Sequence, residues 1–196
     1  MSNRTSHPRR HRRPLGNDRL VTWFAVIGFM GSGKSRIGWE LSRRLHLNFI
    51  DTDRVIERVS GMPIPEIFDT YGEAVFRDYE HEIIKRTTRL DDAVISTGGG
   101  TVTREENLAL LRSRGPVVLL TASPETIYQR TRRRPRPLLM VDDPLAKIRE
   151  LLAEREALYL NAADIVVNSD NRQSAEVMEE VVQKLAEWHH AGGRNA

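Results

Sequence analysis

The residues Gly28-Phe29-Met30-Gly31-Ser32-Gly33-Lys34-Ser35 fit the pattern G-x-x-x-x-G-K-[ST], and the chemistry of that spacing is phosphate binding. Glycines leave successive backbone N–H groups free to turn inward on phosphate oxygens, and a following helix presents its positive N-terminus to the same anion. Lys34 would set an ammonium on the outer phosphates, and Ser35 would offer a hydroxyl to Mg²⁺. A glycine-rich turn with no ligand is the plainer alternative. The context weighs against it: an apolar run (Val21 to Ile27) precedes the loop, and Ile37, Leu41 and Leu45 follow at helical spacing.

Other residues carry chemistry of a compatible kind. Asp51 and Asp53 follow the short apolar stretch Asn48-Phe49-Ile50, at the carboxyl end of a strand, where open parallel sheets bind ligands. One carboxylate could serve a metal and the other a polar substrate group; a turn or helix cap is the competing reading. Glu73, Arg77 and Glu80 share one helical face. They form either a surface ion-pair ladder or an arginine held by carboxylates so that its planar fork can grip an anion. Gly98, Gly99 and Gly100 offer bare backbone to a ligand, or else a flexible turn. Thr131 to Met140 packs four arginines around two prolines, as a solvated basic loop or as a lid that closes on polyphosphate. Arg155 interrupts the apolar helical stripe of Leu145, Ile148, Leu151, Leu152, Leu158 and Tyr159. It snorkels, pairs internally, or points into a site that supplies an anion.

The elements that must position these groups alternate. Strands are expected at Val21 to Ile27, Asn48 to Ile50, Ala93 to Ser96, Val117 to Leu120 and Asp164 to Val167. Between them lie helical patterns: a short one within Gly61 to Thr70, then about 73 to 89 with a stripe of Phe76, Tyr79 and Ile83, then about 104 to 114. Ser123-Pro124 opens a helix to about Arg132, another runs from Pro144 to Asn161, and a last one passes through Val177, Val181, Leu185 and Trp188. That order predicts an α/β fold, a five-stranded parallel sheet flanked by helices with right-handed crossovers.

The 196 residues, 39% hydrophobic, suffice for one core. No apolar run approaches the ~20 residues that span a bilayer, and cysteine is absent, so a soluble, cytoplasmic chain is expected. The net charge of +3 is unevenly divided: residues 1 to 19 hold six arginines and one acid, giving +5, and the rest therefore carries −2. The basic character belongs to a tail expected to be disordered, and no nucleic-acid-binding face is implied.

Taken together, GFMGSGKS (28 to 35), FIDTD (49 to 53), GMPIPEIF and GEAVFRDYE (61 to 68 and 72 to 80), STGGGTV (96 to 102), RPLL (136 to 139) and ER-x-ALY (154 to 159) resemble the shikimate kinase family in content and order. The resemblance implies a P-loop NTPase fold of the nucleoside-monophosphate-kinase type with a mobile lid at about 131 to 142. Substrate-binding helices would span about 54 to 90 of a kinase domain at 20 to 190, with residues 191 to 196 frayed. It further implies ATP and shikimate as substrates, Mg²⁺ as cofactor, a monomer, and a place in aromatic amino acid biosynthesis.

By position, the resemblance assigns Gly31, Ser32, Gly33, Lys34, Ser35 and Arg136 to ATP, with Arg172 as the adenine contact. Ser35 and Asp51 go to the metal. Asp53, Arg77, Gly98, Gly99, Gly100 and Arg155 go to the substrate, and Lys34, Asp53 and Arg136 to catalysis. Glu73 and Glu80 would support Arg77. The lid is short and arginine-dense for the family. A kinase for another hydroxy acid such as gluconate, and a nucleotide-binding module without turnover, are the rival readings.

Overall fold

The computed structural model describes residues 21–132 and 136–195. The arginine-rich tail and the three central lid residues lie outside that range.

Five strands, β1 (Trp23–Ile27), β2 (Asn48–Asp51), β3 (Ala93–Ser96), β4 (Val117–Thr121) and β5 (Ile165–Asn168), form one sheet in the order β2-β3-β1-β4-β5. All four pairings are parallel, as in Ala25 opposite Ile95 and Val117. A parallel sheet is covered on both faces, so its inner strands are continuously apolar. β1 is buried at every position. Its alternate residues serve opposite sides: Trp23, Ala25 and Ile27 join one core cluster, and Phe24 and Val26 the other.

The helices α1 (Lys34–Leu45) and α7 (Ser174–His190) cover the second face through Ile37, Leu41, Val177, Val181 and Leu185. The first face is closed by α3 (Ile64–Thr87), α4 (Glu105–Arg112), α5 (Pro124–Thr131) and α6 (Pro144–Ala162). A helix that the sequence patterning passes over, α2 (Thr52–Ser60), begins at Asp51 and ends at Gly61, whose φ of 72° stops it. With α3 it makes a small separate core of Ile56, Ile67, Phe76 and Ile83.

The expected pair of helices around Gly72 appears as one helix broken by a kink there, at φ 82° and ψ 171°. The expected stripe needs correction: Phe76 and Ile83 are buried, but Tyr79 is exposed and Glu80 takes the inward position. An acid can do so only with partners, and it has them. On α6, Ile148, Leu151, Arg155 and Tyr159 are buried while Leu158 is 38% exposed, which narrows that stripe. The last strand starts one residue later than expected, because Asp164 turns its side chain back to accept from Val117 N at 2.7 Å. Beyond α7 the chain makes one more turn. Gly193–Asn195 form a 3₁₀ turn, and Arg194 pairs with Asp164.

Candidate active site

The site lies along the carboxyl ends of β1, β2 and β3, beside the switch point at which the strand order reverses. The loop after β1 delivers the phosphate cradle directly into α1. Gly33, the residue before the helix, has φ 100°, open to glycine and strained for other residues. Arg130 of α5 and Ser169 brace the cradle from outside: Arg130 donates to Gly31 O at 3.2 Å and to Ser169 O at 2.8 Å, and Ser169 Oγ donates to Ser32 O at 3.0 Å. Ser32 Oγ is buried with no partner among the described residues, a donor held ready inside an anion-binding loop.

Lys34 is 8% exposed and donates its ammonium to Phe29 O of the same loop at 2.8 Å. Burial pushes its pKa down to about 8, against the pull of Asp53 and Asp51. Ser35 is exposed at the start of α1, and Asp51 is half-buried at the end of β2, where it accepts from Arg54 N at 3.3 Å. These are hard oxygen donors of the kind that suit Mg²⁺.

Asp53 stands in the first turn of α2. Its Oδ1 is buried without a hydrogen-bond partner among the described residues. Burial, with the neighbouring Asp51 charge, pushes its pKa up to about 6, although Lys34 pulls the other way. A carboxylate short of donors and poised near neutrality is suited to accept a proton.

Next to it, Arg77 donates to Glu73 Oε1 at 2.7 Å and to Glu80 Oε2 at 2.9 Å. Burial works against its charge, but the two glutamates more than offset that and raise its pKa. The ion-pair ladder and the held arginine are therefore one arrangement: the carboxylates restrain a fork that is only 16% exposed. Gly98 and Gly100 are glycines for want of space. A Cβ on Gly98 would lie 2.5 Å from Glu80 Oε1 and 2.9 Å from Asp53 Oδ1, and one on Gly100 would overlap the Arg77 guanidinium.

From α6, Arg155 is buried at 8% exposure, and Tyr159, one turn on, donates its hydroxyl to Gly99 O. Burial raises the Tyr159 pKa, which keeps that hydroxyl protonated as the donor. Arg77, Arg155, Arg136, Asp53 and Gly98 to Gly100 line one small cavity, closed on the lid side by Pro137 and Leu138. Among the described residues of the lid segment, Arg136 is the arginine that lines this cavity.

Arg172 has a different setting. It reaches back to α7, pairing with Glu180 and donating to Asn168 O at 3.0 Å and Glu176 O at 3.1 Å. It lines a separate cleft beside the cradle together with Arg130, Thr126 and Asn171. Arg130 was missed in the sequence because nothing in its spacing separates it from the arginines of the lid that follows.

A phosphate loop on a 2-3-1-4-5 parallel sheet, facing an anion pocket under a lid, defines a P-loop small-molecule kinase. The family model for shikimate kinase matches residues 30–186. The chain is 58% identical over 174 residues to a shikimate kinase of Deinococcus radiodurans, covering 89% of this chain and 88% of the relative. Among solved structures, a shikimate kinase from Acinetobacter baumannii in complex with shikimate superposes with a TM-score of 0.82 at 34% identity, over 85% of this chain and 94% of the other. The chain belongs to the shikimate kinase family. A gluconokinase from Sinorhizobium meliloti, at 17% identity, TM-score 0.53 and coverage of 86% and 93%, shares the fold alone.

Proposed function

We propose that this protein transfers the γ-phosphoryl group of ATP to the 3-hydroxyl of shikimate, giving shikimate 3-phosphate and ADP. The observation that carries the reading is the approach of two arginines, half-buried Arg77 and buried Arg155, to one cavity that also holds Asp53 and the triple glycine. A small hydroxylated carboxylate matches that set: the arginines take its carboxylate, and Asp53 with the backbone of Gly98, Gly99 and Gly100 takes its hydroxyls.

On the phosphate side, the N–H groups of Gly31 to Ser35 cradle the polyphosphate. Lys34 exchanges Phe29 O for the phosphoryl group in transfer. Asp53 receives the proton of the 3-hydroxyl as its oxygen bonds to the γ-phosphorus and the β–γ bridge breaks. Arg136 brings lid charge to the oxygens on which negative charge is spread. Ser35 would hold Mg²⁺ directly and Asp51 would hold it through water; when bound, the ion neutralises the β- and γ-phosphates. The cleft lined by Arg130 and Arg172 is the proposed seat of the adenine. Both halves of the site come from one chain, which supports a monomer, and no helix among the described residues is long and apolar enough to cross a membrane. We place the enzyme in the cytoplasm, where the absence of cysteine is compatible with reducing conditions.

Gluconate would also use a carboxylate grip, but its open chain lacks the rigid ring to fill so confined a pocket. A module without turnover has no need of Lys34, Asp53, Arg77 and Arg155 all in place. The reaction is tested by ³¹P NMR of the product formed from MgATP and shikimate. A phosphomonoester coupled to the proton on C3 is expected; esterification at another carbon, or none, would refute the assignment.

A further inference from the structure

Glu80 is the most enclosed acid in the site. None of its side chain reaches solvent. Its Oε2 holds Arg77 Nη1 at 2.9 Å, while Oε1 faces the space over Gly98 that Asp53 also crowds. Two acids turned toward one space compete for donors, and among the described residues Asp53 Oδ1 goes without. Glu80 Oε1 does not: the hydroxyl of Thr101, itself 0% exposed, donates to it at 2.6 Å.

Thr101 is part of the triple-glycine loop. Its N–H donates to Gly98 O at 3.3 Å, and it opens the 3₁₀ turn Thr101–Thr103. Its hydroxyl therefore joins that loop to α3 through Glu80, and through Glu80 to Arg77.

A buried carboxylate oxygen deprived of its donor turns toward the nearest cation. Here that cation is Arg77, whose fork favours two-point pairing with a single carboxylate. Bound in that way to Glu80, Arg77 would have its donors taken by the protein's own acid instead of a ligand.

We propose that Thr101 is a positioning residue for the acid substrate: by occupying Glu80 Oε1 it limits Glu80 to one bond with Arg77 and leaves the N–H groups that neither Glu73 nor Glu80 holds for the substrate carboxylate. This rests on the reading of the pocket as the shikimate site. The hydrogen bonds of Thr101 among the described residues run to Glu80, Gly98 and Arg104 and none to the phosphate cradle, so its effect should fall on the acid.

The test is steady-state kinetics of Thr101→Val, Thr101→Ala and Thr101→Ser. Valine keeps the shape and loses the donor, alanine loses both methyl and donor, and serine loses only the methyl. Removing the donor is expected to raise the shikimate KM about tenfold or more. The KM for ATP should stay within about twofold of the parent value, and serine should restore the shikimate KM. Parent-like shikimate KM in the valine and alanine variants would overturn the proposal. So would a serine variant as impaired as alanine, which would show that packing of the methyl matters and the hydroxyl does not. If the valine variant fails to fold, the serine and alanine pair decides. A parent enzyme inactive with shikimate would refute the functional reading itself, an outcome distinct from an active parent with unaffected variants.

Discussion

The Arg77 guanidinium fills the space in which any side chain on Gly100 would begin. The backbone of Gly100, at φ −100° and ψ 0°, is open to other residues, so the restriction is one of space. Gly100→Ala must displace the arginine from its seat between Glu73 and Glu80. We expect the shikimate KM to rise by about tenfold or more, equivalent to about 1.4 kcal/mol, with ATP binding preserved. A parent-like KM in steady-state assays would show that the fork can move without loss.

Arg155 is buried on a helix face otherwise given to apolar contacts. On the proposed reading, removing it takes one of the two arginines that hold the substrate carboxylate, at a cost of about 2 to 5 kcal/mol. Arg155→Ala should raise the shikimate KM at least thirtyfold, about 2 kcal/mol, and leave the nucleotide affinity measured by calorimetry unchanged. Equal losses for both substrates would mean that the arginine supports the fold as a whole.

Two titrations bound the working pH. Asp53, raised to about 6, must be ionised to take the hydroxyl proton, so kcat/KM for shikimate should climb as pH rises through about 6. Lys34, lowered to about 8, must be charged to hold phosphate, so kcat/KM for MgATP should fall as pH rises through about 8. A flat profile between pH 5 and 9 would remove both assignments.

The same shift makes Asp53 a liability to the unliganded fold. Its folded-state pKa lies above its ordinary value of 3.8, so its contribution to stability is full below about 4 and lost as pH rises through about 6. Asp53→Asn should therefore stabilise the free protein at pH 7.5 by about 1 to 3 kcal/mol, while abolishing transfer. In thermal unfolding the gain should shrink toward pH 4; a gain independent of pH would point to some other cause.

The parts of this site that could be read in the sequence were those with an anomaly inside one element. The cradle has a fixed spacing. Arg155 breaks a stripe that should have been apolar, and Glu73, Arg77 and Glu80 share a face by helical period. What escaped depended on contacts between elements. Glu80 is the clearest case: its burial rests on Arg77 one turn earlier and on Thr101, some twenty positions on, and no local pattern records the second donor. The exposure of Tyr79 is the same error seen from the other side of α3. Short α2 was hidden between two turn signals, Asp51 and Gly61, that in fact cap it. Arg130 braces the phosphate loop from 99 residues away.

The central claim is that two arginines and a triple glycine select one acid for an ATP site. Release of ADP from MgATP, followed with shikimate, gluconate or quinate in turn, tests it most directly. Turnover should depend on shikimate, with gluconate and quinate near the background rate. Comparable turnover with gluconate, or tight ATP binding with no acid-dependent turnover, would contradict it.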